Sequence, residues 1–137
     1  MPDVDISIVA IIAAVVINMV FGMLWYSPML FGNMWAKSMG TTLDKLQKAG
    51  NPAVSMSVTV LLTIILGATL DYFSNGLGLE GAMEGLMFGL VVAGGIVVTT
   101  IAPDYIFANR PKMSLIMHAA YQFIAVTLIS VAVTLIG

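Results

Sequence analysis

His118 is the only histidine in the chain. It is also the one side chain whose ordinary pKa lies near neutral pH. Ser114, His118 and Gln122 recur at four-residue spacing, so on a helix they share a face, with Tyr121 beside them. Asn18 and Asp104 are further polar residues in apolar surroundings, and with His118 and Gln122 they form a candidate polar cavity. The chemistry such a group would support is a proton-linked or ligand-binding histidine coupled to Asp104. The plainer alternative is a structural histidine, hydrogen-bonded across helices to Asn18 or to a backbone carbonyl. A lone histidine makes a poor zinc site, because zinc takes three or four protein ligands.

Asp71, Glu80 and Glu84 are a second candidate constellation. Glu80 and Glu84 are one helical turn apart and could gather a cation. Equally, they could be a solvated cap on a helix N-terminus, where the dipole favours acids. The eleven methionines raise Cu(I), which thioethers select. Methionine is also a flexible filler of apolar packing, and no His cluster accompanies the methionines. No phosphate loop, HExxH, GxSxG or haem-ligation pattern is found. No catalytic residue, cofactor or metal site is therefore expected.

The elements that must position these residues are four apolar blocks: Ile6 to Leu24, Ala53 to Leu70, Ala82 to Ile101 and Met113 to Ile136. Each is about 18–24 residues long, enough for an α-helix to cross a hydrocarbon core of roughly 30 Å. Hydrophobic residues make up 60% of the 137 residues and charged residues only 9%; mean hydropathy is +1.04. A soluble domain carries about 25% charged residues. The expectation is an all-α, integral membrane four-helix bundle forming one domain over residues 1–137. The net charge of −2 argues against nucleic acid, which wants a basic surface. Cysteine is absent, which excludes disulfides and thiolate sites. The first block has no Lys or Arg before it and is too long for a signal-peptide core, so it reads as a retained span.

All five basic residues fall in two connections: Lys37, Lys45 and Lys48 after the first span, Arg110 and Lys112 after the third. The positive-inside rule then places those loops in the cytoplasm and both termini outside. Asp3, Asp5, Asp71, Glu80 and Glu84 fall on the outer side. Trp25 and Tyr26 at the end of span one, and Trp35 beyond Pro28, read as interfacial anchors. Met29 to Lys37 reads as a short interfacial helix, and Thr41 to Ala49 as a small polar helix capped by Thr41 or Thr42. Gly50-Asn51-Pro52 ends that helix, and Pro103 is expected to kink or end span three.

Ser55, Thr59, Thr63, Gly67 and Asp71 line one face of span two, and Gly81, Gly85, Gly89 and Ala93 one face of span three. In lipid, small faces let helix backbones approach closely. Spans two and three are expected to pack tightly, on each other or across an oligomer interface.

The run Phe21-Gly22-Met23-Leu24-Trp25-Tyr26-Ser27-Pro28-Met29-Leu30-Phe31-Gly32, with Trp35, is distinctive. So is Ile101-Ala102-Pro103-Asp104-Tyr105-Ile106-Phe107, followed by Arg110-Pro111 and Tyr121. Over nearly its whole length the chain resembles the bacterial membrane-protein family catalogued as domain of unknown function seventeen-sixty-one. The resemblance implies a small four-helix membrane protein and carries over no activity and no catalytic residues. After the proline of the second run an Asn or similar residue is expected more often than Asp104, so any role of Asp104 is particular to this chain.

Two functions follow as expectations. The first is a non-enzymatic subunit, self-assembling or accessory to a larger membrane complex, whose partners are the lipid bilayer and a second copy of itself. The alternative is an oligomeric transporter or channel for a small solute or ion, with an inward-facing polar cavity around His118.

Overall fold

A computed structural model describes residues 6–48 and 52–136. Asp3, Asp5 and the Gly50-Asn51 break lie outside the described residues. In chain order the helices are α1 (Ile8–Trp25), α2 (Gly32–Ser38), α3 (Leu43–Lys48), α4 (Pro52–Gly76) and α5 (Gly81–Val92). A π-helical turn (Ala93–Val98), α6 (Thr99–Phe107) and α7 (Lys112–Ile136) follow. Four continuous stretches are long and apolar enough to cross a membrane: Ile8–Trp25, Ala53–Gly76, Gly81–Phe107 and Lys112–Ile136. No strand occurs among the described residues.

The helices run up and down, and α7 is the one the others surround. Within its most apolar stretch 44% of residues are buried, against 11%, 17% and 17% in the other three spans. The core joins Ala10 and Ala14 of α1, Leu70 of α4, Ala93, and Val126, Ile129 and Val133 of α7.

Small residues set these contacts, though not between the helices expected. A Cβ on Gly67 of α4 would lie 2.7 Å from Ala14 Cβ of α1. On Gly85 and Gly89 of α5 it would lie 2.9 Å from Thr134 Cβ and 2.8 Å from Thr127 Cα of α7. Spans two and three therefore spend their small faces on α1 and α7 rather than on each other. Gly81 is a correction too. Nothing lies near its Cβ position, and its φ of +80° makes it a backbone turn at the start of α5 instead of a packing residue.

Pro103 does not end the third span; α6 carries it as an interior residue to Phe107. The irregularity sits upstream, in the π turn at Gly94-Gly95. There the Thr99 hydroxyl donates to the Gly95 carbonyl at 2.8 Å, and the Thr100 hydroxyl donates to the Ile96 carbonyl. These are side-chain bonds back to the preceding turn, and the Ile96 carbonyl also accepts the Thr99 backbone N–H. Beyond Phe107, Asn109 adopts φ 56° and turns the chain into α7.

Candidate polar cleft

The bundle has an acidic end, carrying Asp71, Glu80 and Glu84, and a basic end, carrying all five Lys and Arg residues. The candidate site lies in the basic half, where α1, α4 and α7 meet. Asn18 of α1 is its centre. Its amide donates to Thr63 Oγ1 at 2.8 Å, and Thr63 donates onward to the Thr59 carbonyl at 2.7 Å. From α7 the Tyr121 hydroxyl donates to Asn18 Oδ1 and, at 3.1 Å, to the Asn18 backbone carbonyl. Gly22 permits this approach: a Cβ there would meet the Tyr121 hydroxyl at 2.9 Å. The Thr63 and Tyr121 hydroxyls and one N–H of the Asn18 amide each have an acceptor, which offsets the cost of holding these groups within the membrane.

The Tyr121 ring is held by the chain reversal after α1. The Ser27 hydroxyl donates to the Leu24 carbonyl at 2.7 Å, and Gly32 N–H donates to the Ser27 carbonyl at 2.9 Å. A Cβ on Gly32 would fall 2.2 Å from the Tyr26 carbonyl oxygen, so only glycine closes this loop. The loop delivers an aromatic cluster. Phe21 stacks on Tyr121 at 5.4 Å, Tyr26 tilts against it at 5.5 Å, and Trp25 lies 6.3 Å away. Trp35 packs on Tyr26 at 4.7 Å and Phe31 on Trp25 at 4.5 Å. The rings read as interfacial anchors are thus packed on one another. The Trp25 indole N–H is buried, with no acceptor among the described residues.

Beside this network is a cleft of about 330 Å³. Asn18, Gly22 and Tyr121 form its floor, Met19 and Met23 one wall, and Thr59 and Tyr26 the rest. The volume is at the lower edge of the roughly 300–1,000 Å³ of small-molecule sites. Burial, with Tyr105 and Tyr121 nearby, pushes the Tyr26 phenol well above its usual range.

The expected constellation around His118 is divided. His118 stacks on Tyr105 at 5.7 Å, and Arg110 lies 4.8 Å over the other partner of that stack, Tyr105. It does not bond Asn18, whose side chain is committed to Thr63 and Tyr121. Asp104 is exposed and pairs with Arg110 at 3.6 Å, so it is not coupled to His118. Gln122 is half-buried on α7 and makes no hydrogen bond among the described residues. Thr59, expected in helix packing, is exposed at the cleft rim, and Ser55 one turn away is exposed as well.

The acids are divided too. Asp71 is fully buried and accepts the Ser7 N–H at 2.7 Å, which ties α4 to the start of α1. Glu80 and Glu84 are exposed, and Glu84 accepts the Glu80 N–H at 3.4 Å, as a helix cap. Among the described residues no three His, Cys, Asp or Glu side chains gather as a metal would need.

Residues missed in the sequence lie on faces whose spacing was visible. On α1 the missed contact is Gly22, which recurs at four-residue spacing with the expected Asn18 and Tyr26. Ser130 and Thr134 do the same on α7, where Ser130 donates to the Gly85 carbonyl at 2.8 Å and Thr134 shares a 3.0 Å hydrogen bond with Ser74.

A family model described as "Protein of unknown function (DUF1761)" matches residues 9–134. Neither the curated proteins nor the solved structures contain a match.

Proposed function

We propose that this chain, which belongs to the DUF1761 family of proteins of unknown function, is a non-enzymatic membrane subunit that acts by association. It pairs with a second copy of itself, alone or as an accessory part of a larger membrane complex. The reading places it in a bacterial inner membrane with both termini on the outer side, because Lys and Arg are confined to two connections on one side. Its polar side chains support a non-catalytic role: Asp71, Asn18, Thr63 and Tyr121 are engaged in bonds that hold helices together.

The observation that carries the reading is the uncovered side of the π turn. Gly95 faces open space, and Val91 and Thr99, about one turn to either side, are exposed. Irregular backbone at membrane depth is tolerated where protein or water covers it, and a second copy packed on Gly95 supplies that cover. The chain has no cysteine, so single replacements test the face cleanly. In liposomes, oxidation of Thr99→Cys is expected to give a covalent dimer, while Val16→Cys, 53% exposed on α1, gives none. Equal yields at both positions, or no dimer at Thr99→Cys, would refute the pairing.

The cleft beside Asn18 supports a second reading, an oligomeric transporter or channel for a small solute or ion. On that reading Met23→Phe, which closes the cleft, abolishes solute flux in proteoliposomes. Unchanged flux in the folded variant removes the cleft from transport.

A further inference from the structure

The cleft between α1 and α4 opens on the side of the bundle. Met23 and Thr59 at its rim are exposed, while Asn18 lies seven residues before the end of α1. At 1.5 Å per residue the floor is roughly 10 Å below that end. A molecule entering here comes laterally out of the bilayer. What it would touch at depth is apolar or already paired: the thioethers and methylenes of Met19 and Met23, the bare backbone of Gly22, and the closed Asn18–Thr63–Tyr121 network.

One lining group is different. The Tyr26 hydroxyl makes no hydrogen bond among the described residues, and Tyr26 follows the last residue of α1, at the level of the polar interface. It is a donor placed where the ester and phosphate groups of a glycerolipid lie. Tyr26 packs on Trp35, two residues before Lys37. Among the described residues Lys37, Lys45 and Lys112 have no carboxylate partner; the two acids at this end, Asp44 and Asp104, are held by Lys48 and Arg110. Five cations less two acids leaves this end at +3. Among the described residues the charged groups of the opposite end are all acids, Glu80 and Glu84 exposed and Asp71 buried. Charge complementarity therefore selects an anionic headgroup at the end where the cleft begins.

We propose that the cleft bounded by Met23, Tyr26 and Thr59 binds one anionic glycerophospholipid, its acyl chain lying against Gly22 and Tyr121 and its headgroup beside Tyr26 and Lys37. This goes beyond pairing through Gly95, which lies on a different span, so either can fail alone.

The test is native mass spectrometry of the full chain released from nanodiscs containing equal phosphatidylglycerol and phosphatidylcholine. Retention of one phosphatidylglycerol is expected. Lys37→Gln should lower it about fivefold, the contribution of one basic residue near a membrane surface. Thr59→Phe, which fills the cleft from α4 and keeps the Thr59 carbonyl that accepts from Thr63, should abolish retention while helicity and thermal transition stay unchanged. If Thr59→Phe does not fold, Met23→Phe fills the same space from α1 and is read in the same way. Retention unaffected by the folded cleft-filling variant overturns the proposal. So does equal retention of both lipids that filling the cleft removes, which would mark an uncharged apolar occupant.

Discussion

The two ends of this bundle are held by different physics. At the acidic end, backbones touch through Gly67, Gly85 and Gly89, and buried polar groups tie one helix to the next: Asp71 to Ser7, Ser74 to Thr134, Ser130 to Gly85. At the basic end, large rings spread from Tyr121, and the helices stand far enough apart to leave a cleft. Lipid tails are as apolar as a leucine-rich core, so burial alone gives no drive for helices to meet within a membrane. Contact must come from close backbone approach, dispersion and hydrogen bonds. The acidic end uses all three. The basic end keeps one polar network and wedges, and it is there that a ligand finds room.

That contrast predicts an order of effects. Gly89→Leu should be the most damaging change, because even its Cβ would sit 2.8 Å from Thr127 Cα and 2.9 Å from Ser130 Cβ. Overpacking of this kind costs about 1–3 kcal/mol or more, and here it should separate α5 from α7. The thermal transition in detergent should fall further than for any single change at the basic end. Asp71→Ala comes next. It leaves the half-buried Ser7 N–H without its carboxylate acceptor, a loss of roughly 1–3 kcal/mol, read as faster amide exchange at the start of α1. Tyr121→Phe should be mildest. It keeps the stack on Phe21 and removes only the bonds to Asn18, worth about 0.6–1.7 kcal/mol between membrane helices. If Tyr121→Phe proved more costly than Gly89→Leu, the basic end would be the stronger and the comparison would be reversed. If Asp71→Ala left exchange at α1 unchanged, Ser7 capping by its own side chain, which accepts the Ala10 N–H at 3.2 Å, would suffice to hold the helix start.

The four spans were legible because length and hydropathy are properties of a helix by itself. So was the face: four-residue spacing picked out Thr63, Gly67, Gly85 and Gly89, all buried. Which helix each face meets was not legible, since periodicity gives direction and says nothing of the neighbour. The same limit misplaced Asp104. As a polar residue in apolar surroundings it was grouped with His118, but Asp104 is exposed and pairs with Arg110, which lies over Tyr105. The role of Gly32 was hidden for another reason: a steric requirement on one backbone carbonyl leaves no periodic trace. Tyr121 was noticed beside His118 and in the family resemblance but given no partner, because an aromatic residue in an apolar run gives no sign of what its hydroxyl will reach.

The helix at the centre of the bundle is also the one the ribosome makes last of the four. Until α7 arrives, Ser74 lacks Thr134, Asn18 Oδ1 lacks Tyr121 and the carbonyl of Gly85 lacks Ser130. α1 and its loop are different, since the bonds from Leu24 to Gly32 join near neighbours and need no later segment. Biogenesis is therefore asymmetric in time: the aromatic reversal can be complete while the rest of the bundle is still waiting. A chain stalled before α7 would display unpaired hydroxyl and amide groups to lipid, the kind of signal by which membrane quality control tells an unfinished protein from a finished one.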